Sequence, residues 1–408
     1  MPSSRETFNV GGVLLNQPFK IRRLGHFGFN LSNMEDGVRF YIDLLGFRIS
    51  DVMDYSRRAK DPAQVAGLGD PNGYFTRYGN DHHAMVLFPK RVRDALGRSD
   101  EKPGITVNQI TWQVGSLREV GEAIKWFDAT GIKQQRSGRD MPGSNWHTYL
   151  FDPDGHQNEL YYGIEQIGWN GHSKPRAMYD RGFDRPPALP QIAECDEVQQ
   201  AQAKGIDLLS GYRHIEKLFA TYDVDGVLLS RPFKIVRLGP VYLFVENLDA
   251  AWGFYRDALG FTLTEEVLWR SRRCLFLRCN TEHHSVALFP LDLRDVLGLS
   301  PHSKCAALGI QLANYRQLRD AVKFLREHQV DVTETIPADL HPGIDYAATV
   351  RDPDGHTIQL YYAMEQIGWD GKPRPKELRK PRKLADWPET LEGDDNAYLG
   401  EPFLGPWG

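Results

Sequence analysis

FDPDGHQNELYYGIEQIGWNG, from Phe151 to Gly171, is written a second time as RDPDGHTIQLYYAMEQIGWDG, from Arg351 to Gly371, an offset of 200 residues. Upstream, GVLLNQPFKIRRLG begins at Gly12 and GVLLSRPFKIVRLG at Gly226, an offset of 214. DHHAMVLFP from Asp81 is likewise answered by EHHSVALFP from Glu282. The chain is a tandem duplication, and a repeat of this length governs the fold before any single element does. The copies part at polar positions: His26 stands against Pro240, and Glu159 against Gln359. One half keeps polar side chains that the other lacks.

Each half divides again. RLGHFGFNL alternates like a strand, and Ser32-Asn33-Met34-Glu35 then reads as a capping box. Val38, Tyr41, Ile42 and Leu45 follow at helical spacing, and Gly46 stands where a helix stops. The pattern returns with VNQITWQV, the capping box Ser116 to Glu119, the stripe Val120, Ala123, Ile124 and Phe127, and Gly131. In the second half, Ala251, Phe254, Tyr255 and Ala258, then Leu318, Ala321, Val322 and Leu325, form the matching stripes. The order of strand, helix and about three strands occurs four times, an α+β fold of βαβββ modules.

The expected division is a first domain over 1–165, a linker over 166–233, a second domain over 234–365 and an extended tail over 366–408. The linker holds the run RPPALP, the polar run ECDEVQQAQAKG, and SGYRHIEKLFATY, which reads as a short helix. The tail is first basic and proline-rich, then acidic; it would wrap a neighbouring surface or stay mobile. The change of offset from 214 to 201 gives the first module 13 extra residues near RRAKDPAQVAGLGDPNG, either a lid or a surface excursion.

With 408 residues there is material for two sizeable cores. A net charge of −5 leaves no basic footprint for nucleic acid. No apolar run reaches the roughly 20 residues of a membrane span, and MPSSRETFNVGG does not look like a signal peptide. The four cysteines form no CxxC pair, which suits free thiols in the cytoplasm.

Strand register selects the chemistry. Along RLGHFGFNL, His26, Gly28 and Asn30 share one face; along VNQITWQV, Gln109, Thr111 and Gln113 do. Glu159 shares a face with Gln157 and Tyr161, and His83 with Met85 and Leu87. A polar face of this kind looks into something wet or coordinating.

Through these residues the chain resembles the vicinal oxygen chelate superfamily, and within it the type I extradiol ring-cleaving dioxygenases. The likeness covers roughly 20–165 and 234–365. It implies modules paired into two open barrels, with Fe(II), or else Mn(II), inside one of them. The family holds its metal with a His on the first strand of one module, a His on the first strand of the next and a Glu on the last strand. His26 and Glu159 match two of these, and Gln109 stands at the middle place. The Gln amide is a harder donor that shifts preference toward Mn or Mg, and relatives such as glyoxalases use it. Tyr149 matches a substrate-bonding Tyr and His83 an acid/base His. Asp140 stands where the family has a further His; Asp140, Asn30 and Thr111 are candidate substrate contacts. The familiar two-domain members keep their metal in the second half. Here Pro240, Gln359 and roughly Gly309 replace the ligands there, so the metal is expected in the first.

The expected function is extradiol-type cleavage of a catechol or related dihydroxylated aromatic by O2, in a homo-oligomer. Two alternatives stay open: a non-oxygenase isomerase or lyase of the same superfamily, and an inactive aromatic-binding protein. Simpler roles are expected for His82, His147, His156 and His356, the last three in turns or on outer faces. DPDG is expected to be a turn, and EQIGW a packing or subunit contact.

Overall fold

The computed structural model describes residues 7–97, 104, 106–139, 141–143, 145–178, 192–368 and 370–391. The run RPPALP and the chain's last residues, EPFLGPWG, lie outside them.

The first half forms β1 (Ile21–Leu31), β2 (Arg48–Asp54), β3 (Asn72–Arg77), β4 (Met85–Pro89), β5 (Val107–Val114), β6 (Gln134–Arg139), β7 (Trp146–Phe151) and β8 (Gln157–Tyr162). Hydrogen bonding orders them β2-β3-β4-β1-β5-β8-β7-β6. Each module's first strand therefore runs beside its own last strand in parallel, and the two first strands meet antiparallel. The edge strands β2 and β6 are not joined, so the sheet is open rather than a closed barrel. The second half repeats the plan with β9 (Ile235–Val245), β10 (Thr262–Trp269), β11 (Arg272–Arg278), β12 (Val286–Pro290), β13 (Cys305–Leu312), β14 (Val332–Thr333), β15 (Ala347–Arg351) and β16 (Thr357–Tyr361). This is the expected α+β, twice-duplicated βαβββ architecture.

The long helices Leu117–Thr130 and Tyr315–Glu327 follow their signals. Ser116 accepts from the Glu119 N–H, and Gly131 closes the first helix with φ 74. In the first module the cap is Asn33, not Ser32: its side chain accepts from Asp36 N–H. The helix there widens into a π-turn over Arg39–Leu44. Phe40, Tyr41 and Ile42 are buried there, 4%, 0% and 4% exposed.

The linker helix forms over Glu194–Ala203, not over 210–222. Glu194, Asp196 and Glu197 suit its N-terminal end. The later segment is instead held extended, with His214 Nδ1 accepting from Ile49 N–H and Glu216 paired with Arg231. Beyond both sheets the chain makes equivalent straps: Glu165 accepts from Lys174 N–H, and Glu365 from Arg374 N–H. The described tail lies on its own second half, where Trp387 packs against Tyr315 and Tyr346.

The halves share one apolar core. The DPDG turns fasten them together. Tyr41 OH donates to Asp352 and Tyr255 OH to Asp152. Asp354 accepts from the backbone of Ser32 and Asn33, and Asp154 from that of Glu246. His156 and His356, expected in turns or on outer faces, sit at the DPDG turns but are buried, each 2.9 Å from the aspartate of its own turn. His147 is buried as well, against Tyr149.

Candidate active site

A cavity of about 240 Å3 opens in the first half, lined by side chains of both modules. His26 from β1, His83 just before β4, Gln109 from β5 and Tyr149 from β7 all reach it. Glu159 lies behind them, fully buried on β8 beside Tyr149 and Thr111 in register. Its Oε2 sits 3.2 Å from His26 Nε2 and accepts from Thr111 Oγ1 at 2.9 Å; its Oε1 accepts from Asn145 Nδ2 at 2.7 Å.

Thr111 therefore meets the carboxylate and not the open cavity. Asn30 lies behind Arg93, whose guanidinium donates to its side-chain oxygen. Asp140 lies outside the described residues. Sequence reasoning passed over Asn145 and the cavity residues Arg58, Arg93 and Arg136. Cross-strand register marks the last of these, because Arg136 pairs with Tyr149.

His83 is buried, with its ring 4.3 Å from that of His26. Burial, then the neighbouring His26 and His82 rings, pull its pKa well below the ordinary histidine value, so it is neutral near pH 7. Its Nδ1 meets His82 Nδ1 at 3.0 Å, and His82 Nε2 faces Asp51 at 3.6 Å. The row Asp51–His82–His83 thus ends at the cavity.

Ligand bonds of about 2.0–2.2 Å put two neighbouring donors on one metal about 3 Å apart. The His26–Glu159 separation of 3.2 Å fits that spacing. Among the described residues no three His, Cys, Asp or Glu side chains gather into a metal-ligand group. Gln109 lines the cavity from β5, the strand beside β1, next to Asn108 of the same strand.

Tyr242 takes the place of Gly28, and its phenol lies 2.7 Å from Gln359 Oε1 and 3.0 Å from His284 Nε2. These two residues correspond to Glu159 and His83. A buried phenol thus fills the space between them. Thr349 replaces Tyr149 beside Gln359. The expectation for Gly309 is corrected by the register: Ala307 pairs with Tyr242 as Gln109 pairs with Gly28, whereas Gly309 matches Thr111. The connection from Pro290 to Cys305 is three residues shorter than that from Pro89 to Val107, which moves the offset from 201 to 198.

The family model described as Glyoxalase/Bleomycin resistance protein/Dioxygenase superfamily matches residues 23–160 and 237–360. The chain belongs to this superfamily. It is 28% identical to the 2,2',3-trihydroxybiphenyl dioxygenase of Sphingomonas paucimobilis, over 50% of this chain and 71% of that protein. It is also 28% identical to metapyrocatechase 2 of Cupriavidus necator, over 38% of this chain and 42% of that one. A solved catechol 2,3-dioxygenase shares the fold with a TM-score of 0.53 and 18% identity, covering 93% of this chain and 99% of its own. The Mn(II)-bound glyoxalase of Novosphingobium aromaticivorans shares it with a TM-score of 0.52 and 16% identity, covering 86% and 85%. The class of distant relatives is thus extradiol dioxygenase. Among the described residues no helix is long and apolar enough to cross a membrane.

Proposed function

We propose that the chain is a non-haem Fe(II)- or Mn(II)-dependent extradiol dioxygenase that opens the ring of a catechol or related dihydroxylated aromatic with O2. The observation that carries this reading is the His26–Glu159 pair, at the spacing of two ligands, beside a cavity that also presents His83 and Tyr149. His26, Gln109 and Glu159 would hold the metal. When bound, it would supply a Lewis-acidic centre with positions open to two vicinal substrate oxygens and a redox partner for O2.

The chain's own side chains do the rest. Thr111 and Asn145 fix the Glu159 carboxylate by hydrogen bonds to its two oxygens. His82 Nδ1 and His83 Nδ1 lie 3.0 Å apart, and with the shared proton on His83 it is His83 that donates to His82. His83 then keeps a bare Nε2 with which to take a phenolic proton. Tyr149 orients the bound aromatic, while Phe75, Phe88 and Met53 supply apolar wall. Asn30 and Asp140 complete the proposed substrate contacts, Asn30 through Arg93.

The test is oxygen uptake with formation of a ring-opened, strongly absorbing product, measured on protein loaded anaerobically with Fe(II) or Mn(II). His83→Gln should lower kcat about 100-fold or more, the usual worth of a positioned proton acceptor. Metal-replete protein that consumes no oxygen with any catechol would sink the proposal. Gln109, a harder donor than His, favours a second reading, a metal-dependent isomerase or lyase. The closed hydrogen-bonding of Glu159 favours a third, an aromatic-binding protein without catalysis. The same proposal takes the enzyme to be a cytoplasmic homo-oligomer; its four cysteines are free thiols.

A further inference from the structure

We propose that the first half binds a small inorganic anion, with chloride as the first candidate, between strands β2 and β3 and the linker, on Arg77, Ser50 and Arg48. Arg48 and Arg77 stand directly opposite each other in the β2–β3 register. Like charges so placed destabilise a sheet. Among the described residues neither guanidinium pairs with an acidic side chain. Arg77 is only 8% exposed, and its buried Nε has no hydrogen-bond partner. Ser50, 2% exposed, is the bulged residue of β2, and its Oγ is also buried without a partner. A buried donor left unmet is costly. Two of them beside an unbalanced pair of cations call for a negative acceptor.

The second half shows what the same positions do without the extra charge. Thr262 stands in place of Arg48, opposite Arg278. Arg278 Nη1 donates at 3.0 Å to Oγ1 of Thr264, the bulged residue there. These strands satisfy their own polar groups. In the first half the second arginine is present, and the hydroxyl that matches Thr264 is left without a bond. The linker adds further positive surroundings. Arg231, also buried, stands where the first half's own hairpin has Gln17. His214 lies against Ile49, between Arg48 and Ser50 in the chain, and feels the charges of Arg48, Arg77 and Arg231. Its Nδ1 accepts from Ile49 N–H, so its proton is on Nε2, a further donor for an anion. Glu216 opposes these charges at His214, but Arg231 already engages it. Burial of Ser50 and Arg77 keeps the ligand small. None of Arg48, Ser50 and Arg77 lines the cavity of the candidate active site, so the anion site is separate from the metal proposal.

The test is thermal unfolding of the full chain at constant ionic strength, with gluconate replaced stepwise by chloride and, in a parallel arm, by inorganic phosphate. A bound anion stabilises the folded chain by mass action, so about 100 mM chloride should raise Tm by about 2 °C or more. Broadening of the chloride NMR line reports the same binding directly. Arg48→Thr copies Thr262 at an exposed position that does not threaten the fold. It should shift the chloride response to about tenfold higher concentration. Arg77→Met should abolish the response, and if that variant does not fold, Arg48→Thr decides. A response to phosphate alone keeps the anion site and puts an oxyanion in it. Equal Tm in chloride, phosphate and gluconate with an unbroadened chloride line overturns the proposal, and so does an unchanged response in the variants; Ser50 and Arg77 then meet only water.

Discussion

Gly28 and Tyr242 hold the same place in the two sheets, and the difference between them separates an open site from a filled one. Gly28 pairs with Gln109 and Val86; Tyr242 pairs with Ala307 and Ala287. In one half the missing side chain leaves room next to His26 and Glu159. In the other, a phenol bonds to the residues that correspond to Glu159 and His83.

Gly28→Tyr should therefore convert the first half to the state of the second. A Cβ at Gly28 would already lie 3.0 Å from Phe88 and 3.3 Å from Asn108 and Gln109. Overpacking of this kind costs about 1–3 kcal/mol. The expected variant is folded, with a lowered Tm, and no longer binds catechols by calorimetry. Undiminished binding would show that the cavity beside Gly28 is not where the substrate goes.

The clasp between the halves gives a second prediction. Asp352 accepts from Tyr41 OH at 3.0 Å, from two backbone N–H groups, and from His356 Nδ1. Asp352→Ala strands these buried donors and should cost about 3 kcal/mol. Tyr41→Phe, which removes one bond, should cost about 1 kcal/mol. Urea denaturation measures both. Equal small losses would mean that the turn is not what fastens the halves.

His214 gives a pH dependence. Burial pulls its pKa from 6.5 to about 4, with Arg48, Arg77 and Arg231 adding to the shift and Glu216 opposing it. Its Nδ1 accepts from Ile49 N–H, which requires that nitrogen to be bare. Since the folded pKa is depressed, the contribution is complete above 6.5, declines as pH falls toward 4, and then levels off. The protection of the Ile49 amide, measured by NMR as its exchange rate relative to the intrinsic rate at each pH, should fall across that window. A His214 titration midpoint near 6.5 would contradict the account.

The tail gives another. Arg379 reaches back to Glu265, which also meets His283 Nε2 at 3.1 Å. Burial alone would raise the Glu265 pKa, but hydrogen bonds from His283 and Arg379 outweigh it and bring the value to about 2. This stability is present above 4.5 and lost as pH falls through about 2. Arg379→Gln should raise the Glu265 pKa and make the protein more acid-sensitive in that range. An unchanged acid-denaturation profile would show that the tail contact contributes nothing.

The duplication made the fold legible, because matching stripes in four modules allow little besides βαβββ. Alternation along β1, β5 and β8 brought out His26, Gln109 and Glu159, and motif likeness brought out His83 and Tyr149. The count missed Ala307 because the connection before β13 is three residues shorter than the one before β5, which moves the offset to 198. The three cavity arginines were illegible for another reason. They come from a short turn, a short helix and an edge strand, and only tertiary packing brings them together. The change from Gly28 to Tyr242 is visible in the sequence, but its meaning depends on where the phenol ends.

The most direct test is metal content per chain after anaerobic loading with Fe(II) or Mn(II) and removal of excess, comparing the wild type with Glu159→Gln. That substitution copies Gln359. The account predicts about one metal per wild-type chain and none above background in the variant, with both proteins folded by circular dichroism. Equal retention by both, or retention by neither, would contradict a metal centre built on His26, Gln109 and Glu159.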